Sequence, residues 1–402
     1  MGSGLRPYGV NVAKKSLNRE QLVNAANSAV NKRYGDNTSV AAIEELVDVK
    51  VWASTGSLAL DWCIGGGMLP GGIPMGPKIG RTIHIFGDPS LGKSALLDSI
   101  LKSVQDLKGL GLVSEVEGSR DPHFAKAMRM NMNWVAIQKP PTIEHMADWG
   151  IDWVTDIRKN EPHMPLLWGV DSITMLQSFK THGKRMSDEK EAGNFHYGGG
   201  KSEALGYALN KITDLCRTSP TTFVLLNQVR ETPGVSFGPS KKPTGGLPAR
   251  FVASVEIDLR YSPLGITRDG HKITGKWVHA TIRKNKVRTP HYECDFLINF
   301  QGGLSKWGGV FELLENMKIV HVKRNKNKSL AENEFTITEG IRKGEVLPLS
   351  DFTKWVLEDK MLWRPIGEDA KVKENPQADE EETNGSSESA GDEGGAPAED
   401  TK

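Results

Sequence analysis

The sequence predicts an α/β protein built on a mainly parallel, twisted sheet, and three observations carry that expectation. Short apolar runs at 82–86, 166–170 and 222–226 alternate with stretches of helical periodicity at 95–104 and 205–216, as strands do when helices carry the chain between parallel neighbours. A glycine-rich turn stands between the first of those runs and the first of those helices. The 402 residues are 38% hydrophobic and 25% charged, the balance of a globular chain of two or three domains. The longest uncharged stretch, 62–77, contains six glycines and three prolines and is not a membrane helix. With no leader-like apolar segment at the start, a cytoplasmic protein is expected. Three cysteines, Cys63, Cys216 and Cys294, are odd in number and far apart in sequence, which argues against a disulfide framework and a zinc site and for small buried hydrophobes.

Along the chain, Asn18 can cap a helix whose apolar residues Leu22, Ala25, Ala26, Ala29 and Val30 share one face and which ends at Gly35. A second short helical stretch follows. Residues 1–50 therefore form an N-terminal arm and oligomerisation helix, outside a core that occupies 51–304. Within the core, the strand 83–86 runs into the glycine-rich turn, and a helix begins at Ala95. The strand around 112–115 is expected between the 83–86 strand and the 166–170 strand. Residues 305–366, with helical patterns at 311–317 and 349–357, read as a small α+β C-terminal domain. The tail 367–402 carries 12 acidic and three basic residues, net −9, and leaves 48 basic against 38 acidic residues, net +10, in the rest. It contains no Leu, Ile or aromatic residue, so it cannot offset its conformational entropy by burial and is expected to be disordered.

The turn itself reads Gly87-Asp88-Pro89-Ser90-Leu91-Gly92-Lys93-Ser94, a complete G-x-x-x-x-G-K-[ST] motif followed by Ala95, directly after a strand and before a helix. Its glycines let backbone N–H groups wrap a polyphosphate at a helix N-terminus. Lys93 supplies charge to the β and γ phosphates, and Ser94 can ligate Mg²⁺. ATP and Mg²⁺ are the expected ligands. Asp171 ends the 166–170 run, where a P-loop protein holds its metal-orienting carboxylate, acting through water. Hydrolysis also needs a group to activate water. Glu117 and Glu115 both stand near the end of an apolar strand, and spacing does not separate them.

The segments 54–61 (STGSLALD), 117–124 (EGSRDPHF), 227–230 (NQVR), 244–246 (TGG) and 284–286 (KNK), in this order around the complete P-loop and within residues 18–365, resemble the successive motifs of the bacterial RecA family of homologous-recombination ATPases. The resemblance implies a RecA-like P-loop ATPase core. It makes Glu117 the glutamate that activates water and Gln228 the glutamine that senses the γ-phosphate and signals to a DNA-binding loop. Asp121 and Phe124 become the adenine contacts, with Phe300 adding to that pocket. Lys284 and Lys286 become lysines that reach the γ-phosphate of a neighbouring subunit. The turn at 69–81 is longer than in the family and the C-terminal part diverges, as in a distant, phage- or plasmid-encoded member.

By the same resemblance, DNA is bound by two loops. The first, 180–201, has five basic and three acidic residues and offers His196, Tyr197, Gly198 and Lys201. The second, 230–246, net +2, offers Arg230, Thr232, Pro233, Phe237, Lys241, Lys242, Thr244, Gly245 and Gly246. Loops of ~12 residues or more in a compact domain usually carry a role. Tyr197 and Pro233 stand where the family has aliphatic side chains, and Thr232 where it has a basic one. Two +2 loops per protomer bind single strands weakly at physiological salt, so tight binding needs many protomers. The family's N-terminal helix packs on the adjacent subunit and builds a helical filament. The expected activity is ATP-dependent filament formation on single-stranded DNA, with pairing and exchange against homologous duplex DNA. Single-strand-binding and loader proteins are further expected partners, and a membrane is not. The alternative is a RecA-fold hexameric helicase or regulatory ATPase, which would share the P-loop, Asp171 and Glu117. Lys284, Lys286, the second loop and the N-terminal helix favour the recombinase.

Overall fold

The computed structural model describes residues 18–34, 49, 51–76, 79–118, 120, 122–183, 200–231, 241–243, 247–323, 334–338 and 343–358. Helix α1 (Arg19–Tyr34) begins where the sequence places it. Asn18 Oδ1 accepts the Gln21 N–H at 2.8 Å while Gln21 Oε1 accepts the Asn18 N–H at 3.0 Å, a reciprocal capping box. Its apolar Leu22 and Val23 face solvent. The second helical stretch and the acidic tail lie outside the described residues.

Strand β1 (Val51–Ala53) pairs antiparallel with β2 (Ile73–Met75), and helix α2 (Leu58–Ile64) lies between them in sequence. The 54–61 motif has a structural task here. Asp61 accepts hydrogen bonds from Ser54 Oγ (2.5 Å), Thr55 N (2.7 Å) and Thr55 Oγ1 (2.6 Å), which folds the turn into the start of α2. Burial still pushes its carboxyl up to about 6.

The main sheet holds ten strands among the described residues. They are β3 (Thr82–Gly87), β4 (Leu110–Glu115), β5 (Val135–Gln138), β6 (Leu166–Asp171), β7 (Thr221–Glu231), β8 (Lys241–Pro243), β9 (Val255–Asp269), β10 (Lys272–Asn285), β11 (Glu293–Asn299) and β12 (Gly303–Leu304). Their order is β12-β11-β10-β9-β3-β7-β6-β4-β5, with β8 attached to β7. The six strands from β9 to β5 run parallel, and β10, β11 and β12 extend the sheet antiparallel.

This order corrects the expectation that β4 lies between β3 and β6. Strand β7, later in the chain, takes that place, and β4 stands beyond β6. All six residues of β3 are matched by β7, from Thr82 opposite Phe223 to Gly87 opposite Gln228. Adjacency follows from such length and face matching, which sequence order does not encode. Two boundaries also move. Helix α3 (Lys93–Asp106) starts at Lys93, so the end of the motif is its first turn. Strand β4 stops at Glu115, two residues short of Glu117.

Helices cover both faces. The β7 side chains alternate, Val224 and Leu226 entering the core under α3 while Phe223 and Leu225 enter the core under α5 (Ile143–Asn160) and α6 (Lys201–Thr218). Two shorter helices are α4 (Pro122–Ala127) and α7 (Pro248–Val252), the latter packed against α6 and β3. The C-terminal part has helix α8 (Val310–Asn316), an antiparallel sheet of β13 (Val320–Lys323), β14 (Glu334–Ile337) and β15 (Val346–Leu347), and helix α9 (Leu349–Glu358). Phe335 stacks on Phe352 at 4.4 Å between centroids, and their cluster is continuous with the core under α3. All three cysteines are buried, and Cys63 on α2 meets Cys294 on β11, a proximity invisible in the sequence. Among the described residues no helix is long and apolar enough to cross a membrane.

Gly150 shows how tightly α5 meets the sheet. A Cβ there would stand 1.9 Å from Trp168 Cζ2, and that indole is fixed by its Nε1–H donating to Ser114 Oγ (3.0 Å) and by an edge contact with Phe223. Ala ordinarily stabilises a helix interior relative to Gly by ~1 kcal/mol, but overpacking a fixed ring costs about 1–3 kcal/mol. Gly150→Ala should therefore lower the urea midpoint at unchanged m-value, by up to about 2 kcal/mol of stability. A raised midpoint would contradict this packing.

Candidate active site at the carboxyl edge of the parallel strands

Parallel sheets present their ligand sites beyond the carboxyl ends of their strands. The register places Gly87 of β3 beside Gln228 of β7, and Glu115 of β4 beside Asp171 of β6, at that edge. The P-loop, 87–94, leaves from its middle.

Both motif glycines are required, Gly87 by space and Gly92 by its left-handed backbone. A Cβ on Gly87 would meet Leu259 O at 2.3 Å, and one on Gly92, whose φ is +77°, would meet Ile298 Cδ1 at 2.3 Å. Gly92 contributes no side-chain cap, so the first N–H groups of the 14-residue α3 are open to an anion. Lys93 is buried, and its Nζ donates to the carbonyls of Gly87 (3.1 Å) and Asp88 (2.7 Å), folded across the mouth of the loop. Burial holds the ammonium below its usual range, against the opposing pull of Glu117, Asp171 and Asp88.

Across from Lys93 stand the acids. Asp171 is buried and hydrogen-bonded to Ser94. Burial raises its carboxyl to about 6, with Ser94 lowering it and Glu115 and Glu117 adding to the rise. The two glutamates that spacing leaves together make different contacts. Glu115 Oε1 accepts the Gly118 N–H at 2.8 Å and braces the turn. Glu117 Oε1 accepts from the Ser172 hydroxyl and from Gln228 Nε2 at 2.9 Å, beside the phosphate loop. Gln228 is in turn held through its main-chain N–H, which donates to Asn227 Oδ1 (2.9 Å) and Thr174 Oγ1 (3.3 Å).

Two further elements escaped sequence reasoning. Asn227 Nδ2 lies 3.3 Å from His84 Nε2, and His84 Nδ1 lies 3.0 Å from Glu256 Oε1, forming a buried polar chain through β7, β3 and β9. Its trace in the sequence is a His and a Glu inside otherwise apolar strands. On the other side, Arg120 Nη2 donates to Asp98 Oδ1 of α3 with both side chains buried, tying the segment that carries Glu117 to the P-loop helix.

Lys284 and Lys286 are not brought to this site within one chain. Lys284, near the end of β10, donates to Arg250 O at 2.6 Å. Phe124 is half-buried against the core under α3, and Phe300 is exposed after β11, its N–H donating to Thr274 O at 2.9 Å. Asp121, His196, Tyr197, Gly198, Thr232, Pro233, Phe237, Thr244, Gly245 and Gly246 lie outside the described residues. Lys201 opens α6 and donates to Thr174 O at 2.7 Å. Burial first, then Arg230, lowers its ammonium to about 8. The segment 230–246 is not loop throughout. Arg230 pairs with Lys242 and Glu231 with Lys241 in an antiparallel ribbon of β7 and β8, whose paired backbones satisfy N–H and C=O groups that a loop would leave to solvent.

No group of three or more His, Cys, Asp or Glu side chains is arranged to hold a metal ion among the described residues. Mg²⁺ in nucleotide sites needs less, taking one or two protein oxygens together with substrate phosphates and water. The Ser94 hydroxyl against Asp171 fits that demand, and the crowding of Asp171 by Glu115 and Glu117 is negative charge that a dication offsets.

A family model described as RecA N-terminal domain matches residues 21–305. The chain is 30% identical to Protein RecA of Methylococcus capsulatus over 308 residues, 75% of this chain and 81% of the relative. It is likewise 30% identical to Protein RecA of Rickettsia canadensis over 308 residues (76% and 82%), and 28% identical to that of Kineococcus radiotolerans over 295 residues (73% and 78%).

Arg120→Ala should be severely destabilising, because it leaves Asp98, whose carboxyl burial already raises to about 6, without its counter-charge. Breaking a buried pair from one side costs about 3–5 kcal/mol, whereas replacing both partners by apolar residues is often neutral. Denaturant titration should find Arg120→Ala strongly weakened and Asp98→Leu with Arg120→Met close to the parent. Equal losses in both would contradict a paired charge.

Proposed function

The chain belongs to the RecA family, and from that membership we propose that it is an ATP-dependent DNA recombinase, which forms filaments on single-stranded DNA, pairs that strand with homologous duplex and exchanges strands. The observation that carries this reading is the 2.9 Å hydrogen bond from Gln228 to Glu117, made by a strand that runs on within two residues to Arg230 and the β7–β8 ribbon. A hydrolytic carboxylate and a DNA-facing segment are thereby connected through one side chain.

When ATP enters, Lys93 exchanges the carbonyls of Gly87 and Asp88 for the β and γ phosphates, and the loop amides and the α3 N-terminus receive the rest of the charge. Ser94 and, through water, Asp171 would hold Mg²⁺, which neutralises charge building on the phosphate oxygens. Glu117 takes the proton of the attacking water. Its Oε1 is engaged by the Ser172 hydroxyl, so Oε2 is the oxygen turned to that task. Gln228 releases Glu117 as its amide finds the γ-phosphate, and β7 shifts the ribbon. Lys284 and Lys286 of an adjacent copy complete the site, with Asp121, Phe124 and Phe300 toward the base. The arm 1–50, with its exposed Leu22 and Val23, joins protomers, and the 180–201 and 230–246 segments face DNA. The protein works in the cytoplasm, in association with the nucleoid, or in the host cytoplasm if it is phage-encoded.

Glu117→Gln tests this reading. It should keep ATP and single-stranded DNA binding while turnover falls about 10²–10⁴-fold. Electron microscopy with single-stranded DNA and ATP should then show long-lived open filaments. Closed rings would favour a hexameric helicase, and rapid disassembly in ATP would remove Glu117 from the chemistry.

A further inference from the structure

The nucleotide loop is gripped from its outer side by the β9–β10 hairpin. Ser90 O accepts from Lys276 Nζ, and Pro89 O receives the Tyr261 hydroxyl at a longer 3.4 Å. The Lys276 ammonium also lies over the Tyr261 ring, 5.7 Å from its centroid, within cation–π range. Ser90 is a non-glycine residue with φ +60°, a left-handed conformation that persists where neighbours enforce it. Strand pairing fixes where the two side chains start, since Lys276 stands opposite Ile266 on β9 and Ile298 on β11.

A trans peptide points its C=O and its following N–H in opposite directions. Holding the carbonyls of Pro89 and Ser90 outward therefore turns the amides of Ser90 and Leu91 inward, to the concave side where a P-loop receives phosphate. We propose that Lys276, seated on Tyr261, is a positioning residue of the nucleotide site, which clamps the outer carbonyls of the P-loop so that its amides face a nucleoside di- or triphosphate before the ligand arrives. The inference rests on the P-loop reading of residues 87–94. It concerns preorganisation, so its effect belongs to ligand affinity and not to the chemical step. The like charge of Lys276 adds to the burial that lowers the Lys93 ammonium, so both lysines serve one short loop.

The test is equilibrium titration of full-length protein, without DNA, with a fluorescent ADP analogue. Lys276→Ala should raise Kd about tenfold, the scale of one lost charge-assisted hydrogen bond. Lys276→Arg and Lys276→Gln, which keep a donor for Ser90 O, should stay within about threefold of the parent. The melting temperature of the nucleotide-free variants should not change, and steady-state ATP hydrolysis should show KM raised at constant kcat. If Lys276→Ala binds like the parent, or if Lys276→Gln loses as much as Lys276→Ala, the clamp is overturned, the second result assigning the effect to charge alone. Lys93→Ala is the control for the underlying reading: wild-type affinity in that variant would discredit the P-loop site itself, whatever Lys276 does.

Discussion

The hydrogen bond from Gln228 to Glu117 sets conditions that the rest of the fold has to meet. It requires β7 to lie beside the P-loop strand, so that Gln228 falls opposite Gly87. It requires the chain to run two residues past β4 before Glu117, since β4 itself is two strands away from β7. The turn that spans this gap is held at several points: Val116 N donates to Asp171 O at 2.8 Å, Gly118 N to Glu115, and Arg120 to Asp98 on the P-loop helix. Gln228 is held as firmly from the other side, by Asn227 and Thr174 and, behind them, His84 and Glu256. A side-chain contact of 2.9 Å thus rests on the order of the whole sheet.

The same crowding gives the site its electrostatic character. The buried carboxyls of Asp98, Glu115 and Asp171 and the half-buried one of Glu117 gather around Lys93 and Arg120, and burial raises both Asp98 and Asp171 to about 6. Such an arrangement is costly in isolation, because each carboxylate disfavours the ionisation of the next. On the proposed function, a bound cation and polyphosphate would redistribute that charge and so link ligand binding to folding stability. Sites poised in this way are where catalytic groups tend to be found.

Much of this was legible in the sequence because the signals are local. The P-loop motif declares itself by spacing, Asp171 by ending an apolar run, and α1 by the Asn18 cap, whose side chain accepts the Gln21 N–H. What was not legible is non-local. Strand order depends on which partner matches β3 along its length, and a β4 inserted next to β3 was a reasonable but mistaken expectation. That Glu115 turns back to cap its own loop while Glu117 reaches Gln228 depends on how the turn after β4 folds. His84 with Glu256, Asp98 with Arg120, and Cys63 with Cys294 are each separated by tens or hundreds of residues, and nothing in the local pattern of one announces the other.

If Gln228 is the connection between the phosphate site and the DNA-facing ribbon, its removal should abolish coupling without abolishing binding. The decisive measurement is a thermodynamic cycle of single-stranded DNA binding with and without a non-hydrolysable ATP analogue, for the parent and for Gln228→Ala. In the parent, the analogue should tighten DNA binding by roughly 5–150-fold, and DNA should tighten analogue binding by the same factor. In Gln228→Ala that factor should fall to about 1 while each ligand alone binds within about threefold of the parent. A Gln228→Ala protein that retained the full factor would contradict the account, because the connection would then run through some other part of the molecule.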